Sequence, residues 1–282
     1  MLKKYVFRSN RAGYNILFLG AIHGNDPAGT QAISTAVQKF ASGALIPLKG
    51  TVSFIPVCNP LAFERNVRQI DENLNRIIRR WNNPTTYEQN LANELSAEIE
   101  AADIIIDLHS SHCPDDKPFI FNDYPDDHLA CRLSSVQNIE YVVEGWPQIY
   151  NAAPIKDYST GSWAKICGKT CLTVECGYHL SDTAVKTAYH VIMNTLLSLD
   201  VLEGFSSVPP KQKYIAMDGF FIKTGSGHLA RPFKHLDPIS AGELLAFYDN
   251  GTSVVCPQDG FIMLPNPNAA VGTEWFYLGH QK

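Results

Sequence analysis

A histidine and a carboxylate three residues apart, in His23-Gly24-Asn25-Asp26, follow directly on the apolar run Ile16–Ile22 and precede Pro27. A second apolar run, Ile104-Ile105-Ile106-Asp107-Leu108, also leads into a histidine, His109. Two imidazole nitrogens and one carboxylate oxygen, with a fourth position left for water, are the donor set of a catalytic zinc site. Each piece has a plainer use on its own. Asp26 before Pro27 is a good helix N-cap, and His109 alone reads as a hydrogen-bonded histidine at a strand end. Two such strand ends together point to a shared ion, because ligands gather at the carboxyl ends of strands in open α/β sheets. A third run, Cys171–Val174, opens into Glu175-Cys176-Gly177. That carboxylate could take a proton from a metal-acidified water and pass it to a leaving nitrogen.

Between these pieces lies a stretch from Arg65 to Arg76 with three arginines among Asn and Asp. An arginine near a metal can steady a developing oxyanion, and another can grip a carboxylate through parallel hydrogen bonds. The same composition also suits a solvated surface loop. Other chemistry is weaker. His112 reads as a polar loop residue and Cys167 to Cys171 lacks the spacing of common redox or zinc pairs. Cys176 with His179 could suggest a thiol hydrolase, but nothing nearby lowers the thiol pKa. Gly225-Ser226-Gly227-His228 lacks the strand-to-helix setting of a phosphate loop. It reads as a turn, with His228 and Arg231 open to a role at the mouth of the site.

The elements that must hold these residues are legible as alternating short apolar runs and longer helical patterns, the signature of a βαβ-built sheet. Strands are expected at Ile16–Ile22, Thr51–Val57, Ile104–Leu108, Phe119–Phe121 and Cys171–Val174. Helices are expected from Pro27 towards Phe40, from a capping box at Thr85-x-x-Glu88, and over Thr183–Leu199. After Phe205 the texture turns rich in Gly, Pro and aromatics, with Pro209-Pro210 as a linker. The chain therefore divides into a catalytic unit over 1–205 and a small β-rich unit over 206–282.

With 282 residues, 45% of them hydrophobic, the chain can bury a sizeable core. A net charge of -5 offers no basic field for nucleic acid or anionic membranes. No window approaches the length of a spanning helix. Seven scattered cysteines, an odd number, fit a reducing cytoplasm.

The motifs His23-Gly24-x-Asp26, Asn59-Pro60, Arg68 with Asn73-Leu74-Asn75-Arg76, Asp107-Leu108-His109 and Val174-Glu175-x-Gly177 resemble the succinylglutamate desuccinylase/aspartoacylase family. This is a zinc-carboxypeptidase-like family of the M14 type. The resemblance implies one zinc per chain held by His23, Asp26 and His109, with Glu175 as general base and acid. It also implies Arg68 at the oxyanion, Asn75 and Arg76 on the substrate carboxylate, and Tyr277 reaching in from the C-terminal region. The implied fold is a carboxypeptidase-like α/β/α sandwich with a mixed, largely parallel sheet, followed by a small β-rich domain. The expected partner is a small carboxylate-bearing molecule, and a homo-oligomer stays open.

Two positions depart from the family pattern. The first ligand pair usually ends in glutamate, and Asp26 is shorter by one methylene. The arginine that aspartoacylases carry shortly before the catalytic glutamate has no counterpart in Tyr158 to Lys165, unless Lys165 or Lys169 replaces it. The leading expectation is a deacylase of N-acyl amino acids. A carboxypeptidase for short peptides and a catalytically weak metal-binding protein remain alternatives.

Overall fold

The computed structural model describes residues 2–111, 113–114, 116–151, 158–204 and 211–282. In chain order the elements are β1 (Tyr5–Arg8), β2 (Asn15–Gly20), α1 (Pro27–Ala41), β3 (Thr51–Ile55), α2 (Pro60–Glu64) and α3 (Tyr87–Ala101). Then come β4 (Ile104–Ser111), β5 (Phe119–Phe121), α4 (His128–Ser135), β6 (Tyr141–Glu144), α5 (Trp146–Asn151), α6 (Thr160–Ile166), β7 (Thr170–Tyr178) and α7 (Asp182–Ser198). The C-terminal part is built of strands: β8 (Lys213–Ile222), β9 (Gly227–Leu229), β10 (Asp237–Ile239), β11 (Leu244–Tyr248), β12 (Ser253–Val255), β13 (Gly260–Met263) and β14 (Glu274–Gln281). A single 3-10 turn, Leu74–Arg76, lies between α2 and α3.

Among the described residues eleven strands form one mixed sheet in the order β1-β3-β2-β4-β7-β5-β6-β8-β14-β13-β10. Its heart, β3-β2-β4-β7, is parallel. Alternate residues of these strands feed two separate cores, as the two-residue strand period requires. Ile104, Ile106, Leu108, Val174 and Cys176 pack with α1 and α7 on one face. Leu17, Leu19 and Ile105 pack with α3 and α6 on the other. The near-continuous Ile, Leu and Val composition of β2 and β4 follows from this double coverage.

The expected strands are present, with shifted ends. β2 stops at Gly20 because Ala21 takes a left-handed backbone conformation, φ +47°. β4 and β7 run further than their apolar stretches, to Ser111 and Tyr178, because each supplies the other's hydrogen bonds there. The capping box sits one residue later: Thr86 is the N-cap of α3, bonded to the Gln89 amide, and Glu88 turns elsewhere. The short strands β1 and β6 were not expected from sequence.

The boundary expected at 205/206 and the Pro209-Pro210 linker lie outside the described residues. Downstream of it, β8 pairs in parallel with β6, and β14, β13 and β10 extend the same sheet. Strands β12, β11 and β9 make a separate three-stranded sheet. Among the described residues no helix is long and apolar enough to cross a membrane.

Ile106 is fully buried between β4 and the α1/α7 layer. Ile106→Ala should therefore cost about 2–5 kcal/mol of stability, measured as a shifted urea midpoint with an unchanged denaturant slope.

Candidate functional site

The face of the sheet shared with α3 and α6 changes character along β4. Ile105 lies in the core, Asp107 is wholly buried beyond it, and His109 follows two residues later on the same face. In the parallel register His109 pairs with Glu175 of β7 and Asp107 with Thr173. Leu19 of β2 pairs with Asp107 from the other side. The chain then leaves β2 through Ala21 and brings His23 and Asp26 over the same strand ends. Gly24 makes this crossing possible: a Cβ there would stand 2.1 Å from the Ala62 backbone.

His23, Asp26 and His109 are all buried, and their ligand atoms lie within 4.8 Å of one another. The Nδ1 atoms of both histidines stand 3.1 Å from the same Asp26 oxygen, Oδ2. Each ring's other nitrogen is also engaged: His23 Nε2 with Asn73 Oδ1 at 3.2 Å, and His109 Nε2 with Asp107 Oδ2 at 2.9 Å. Those outer acceptors favour the tautomer that carries its proton on Nε2. Both Nδ1 lone pairs then point at a carboxylate oxygen, an arrangement of three acceptors that a cation between them resolves. The two nitrogens and one oxygen are the donor chemistry of zinc. Asp26 is spared for this purpose, since it begins α1 without any side-chain capping bond.

The electrostatics agree. Burial, aided by the positive charge of Arg68, lowers the His23 pKa to about 3, which keeps its lone pair available. Burial works against ionised Asp26, yet His23 and His109 together hold its carboxyl well below the usual range. Burial likewise opposes a charged His109, but Asp107, Asp26 and Glu175 outweigh it and push its pKa well above normal. A metal ion would take the place of that proton.

Glu175 is half-buried, but its Oε2 atom is shielded and has no hydrogen-bond partner among the described residues. Burial raises its pKa to about 7; His109 and Arg68 pull it down, while Asp26 and Asp107 push it up. Arg68 is exposed, yet lies within electrostatic reach of Asp26, Glu175 and Tyr277. Its carbonyl accepts from the Gly24 amide at 3.1 Å, so its loop is tied to the His23 loop.

Further along that loop, Asn75 Oδ1 accepts from the backbone amide and hydroxyl of Thr160 at the start of α6. This leaves the oxygen committed and fixes which way the amide nitrogen points. Arg76 Nη2 donates to Tyr150 and Glu274, and the guanidinium lies over the Trp146 and Tyr150 rings. The Tyr150 hydroxyl also meets that of Tyr277 at 2.7 Å. The structure thus joins Arg76 to Tyr277 through Tyr150 and Glu274.

Asp107 and Asn73 stand inside the motifs quoted from sequence, but no role was given to either. For Asp107 one was readable, because it stands two residues before His109 and the strand period puts both on one face. Tyr150 and Glu274 carry no local signal. His179 contacts Ser110 Oγ through Nδ1 at 2.8 Å, and its Nε2 is 3.7 Å from Asp26 Oδ1.

The thiol alternative does not survive: Cys176 lies in the core on the opposite face from Glu175, and burial raises its pKa. Arg231 pairs with Asp237 and Glu243, and His228 lies near Phe247 in the small sheet. His112 is outside the described residues.

The profile of the succinylglutamate desuccinylase/aspartoacylase catalytic domain matches residues 12–193. The chain belongs to this family. A probable aspartoacylase from Prochlorococcus marinus subsp. pastoris is 34% identical over 101 residues, which is 34% of this chain and 33% of that relative. The chain thus matches about a third of that curated relative's length. A succinylglutamate desuccinylase/aspartoacylase from Rhodobacter sphaeroides superposes with a TM-score of 0.80 at 18% identity, covering 100% of this chain and 88% of that one. The product-bound ectoine utilization protein EutE (DoeB) from Ruegeria pomeroyi gives 0.78 at 20% identity, over 99% and 89%. At these identities the likeness is one of fold.

Two departures from the desuccinylase/aspartoacylase pattern can now be placed. Asp26 reaches both histidines despite its shorter side chain, because each presents Nδ1, the ring nitrogen nearer the backbone. Neither lysine replaces the absent arginine. Lys165 pairs with Asp126 and lies over Tyr124 in an exposed position. Lys169 precedes the first residue of β7, six residues before Glu175 and so roughly 20 Å back along the strand.

Asp107 orients His109 through its Nε2 proton. Asp107→Asn should weaken zinc binding by roughly 10- to 100-fold, read by competition with a chromophoric chelator, with far-UV circular dichroism unchanged.

Proposed function

We propose that this chain is a zinc-dependent amidohydrolase that removes the acyl group from an N-acyl amino acid or a similar small carboxylate-bearing substrate. The observation that carries the proposal is the register pairing of Glu175 with His109: it puts a raised-pKa carboxylate, one oxygen buried and unpartnered, beside the His23/Asp26/His109 cluster. Family membership supports the reaction class. Helix layers on both faces, with the cluster over parallel strand ends, support a zinc-carboxypeptidase-like architecture.

His23, Asp26 and His109 would hold one zinc ion. Bound there, zinc acts as a Lewis acid that polarises the scissile carbonyl and acidifies water. Glu175 accepts the proton of the attacking water and later delivers it to the departing amine nitrogen. A base with a pKa near neutrality suits both halves of that transfer. Arg68 donates to the carbonyl oxygen as negative charge gathers on it. Asn75, its oxygen spent on Thr160, offers its amide nitrogen to the substrate carboxylate. Arg76 is held in place for the same carboxylate by Glu274 and Tyr150. Tyr277, tied to Tyr150, closes the Arg68 side of the site.

Among the described residues neither an arginine nor Lys165 or Lys169 stands near the position before Glu175, so a second substrate carboxylate has no evident partner among them. N-acyl derivatives of neutral amino acids are favoured over those of aspartate. Comparing acylated amino acids with short peptides by mass spectrometry separates the deacylase from a carboxypeptidase. Hydrolysis of peptides alone would discard the deacylase reading.

Glu175→Gln should lower kcat by roughly 100- to 10,000-fold while the protein keeps its zinc, measured by metal analysis beside steady-state kinetics. A variant with wild-type turnover would remove Glu175 from the mechanism. The base works only when ionised. Since burial raises its pKa above the usual carboxylate range, kcat/KM should fall away on the acid side as Glu175 takes up a proton and climb as pH rises through its pKa. That acidic limb should be absent from the residual activity of the Gln variant.

A further inference from the structure

Glu88 is the second residue of α3 and its side chain is completely buried. Its Oε1 accepts from the Ile70 amide at 2.7 Å and from Asn59 Nδ2 at 3.1 Å. Its Oε2 accepts from the amides of Asp71 at 3.0 Å and Glu72 at 3.2 Å. Three successive backbone N–H groups thus converge on one carboxylate, the geometry of an anion-binding nest whose anion is a side chain of the same protein. Among the described residues no arginine, lysine or histidine forms an ion pair with it.

An acid in the first turn of a helix ordinarily serves the helix itself. Here the cap is Thr86, and both Glu88 oxygens are spent on the Ile70–Glu72 loop and on Asn59. Asn59 caps α2 with its oxygen and gives its nitrogen to Glu88. Outer ties reinforce the same loop: Thr86 Oγ1 and Gln89 Nε2 donate to Glu72 Oε2, and the Tyr87 amide donates to Asp71 Oδ2. On either side of residues 70–72 stand Arg68, and then Asn73, Asn75 and Arg76. The Arg68 carbonyl holds the Gly24 amide, and Asn73 Oδ1 holds the His23 ring.

We infer that Glu88 is the positioning residue of the active-site loop, the buried knot that sets where Arg68, Asn73, Asn75 and Arg76 stand. Its effect on catalysis rests on the deacylase reading; its effect on the loop does not. The chemistry demands a carboxylate. The two carboxylate oxygens accept four bonds, whereas the amide of glutamine has one acceptor oxygen and turns an NH2 group towards N–H donors. Amides left unpaired in a buried place move rather than stay.

The test compares the zinc-loaded full chain with E88Q on N-acetylated amino acids. E88Q should lower kcat/KM on the order of 100-fold, as a displacement of about 1 Å does, with at least part of the loss in KM. At saturating zinc the stoichiometry should stay at one per chain, because the three ligands lie on other segments, while the affinity falls as Asn73 loosens its hold on His23. Glu94→Gln, also on α3, should leave kinetics unchanged. Hydrogen exchange read residue by residue supplies the second arm. In the wild type the amides of Ile70, Asp71 and Glu72 should exchange far more slowly than those of Arg68 and Gln69, and E88Q should erase the difference. Wild-type kinetics in E88Q, or unprotected amides at 70–72, overturns the inference. If E88Q does not fold, the wild-type exchange pattern decides. If the wild type hydrolyses no acylated amino acid, the deacylase reading falls and the exchange arm still judges Glu88.

Discussion

The arrangement around one oxygen, Asp26 Oδ2, governs this molecule. Two imidazole Nδ1 atoms approach it to 3.1 Å inside a buried cluster, while Asn73 and Asp107 hold the far sides of the rings. Burying a carboxylate and two histidines without water is expensive unless opposite charge is shared among them. Without a metal, Asp107, Asp26 and Glu175 overcome burial to favour a proton on His109, whereas burial and Arg68 keep His23 neutral. A divalent cation meets the same demand better, because it bonds to all three acceptors at once.

The rest of the architecture can be understood as scaffolding for that cluster. The parallel strands β4 and β7 place His109 and Glu175 side by side by register alone, so the distance between them depends on sheet hydrogen bonds and not on a loop. The two ligands from the first pair do depend on a loop, and it is anchored where Gly24 passes the Ala62 backbone with no room for a side chain. A sheet-borne half and a loop-borne half meet at the His23/Asp26/His109 cluster. The first is rigid, and the second needs its own supports.

The C-terminal strands contribute chemistry as well as bulk. Through β14 they deliver Glu274 and Tyr277, which engage Arg76 and Tyr150. Stacked aromatic rings of Trp146, Tyr150, Phe220 and Tyr277 pack these groups together. Burial raises the pKa of both Tyr150 and Tyr277, so each keeps its phenolic proton and remains a donor.

The amino-acid sequence by itself determined the strands that end in the clustered polar residues, because continuous Ile, Leu and Val runs report strands covered on both faces, and a polar residue at the end of such a run stands out. His23, Asp26, His109 and Glu175 were legible for that reason, as were helices α1, α3 and α7. Asp107 was readable in principle from its two-residue offset. What only the tertiary structure decided are the partners that meet across long separations: Asn73 on His23, Glu274 on Arg76, Tyr150 on Tyr277 and Glu88 on the loop amides. Local sequence records period and propensity, and these contacts arise from neither. They come from which segments the sheet order brings side by side, and from the need of each buried donor and acceptor to find a partner once water is gone.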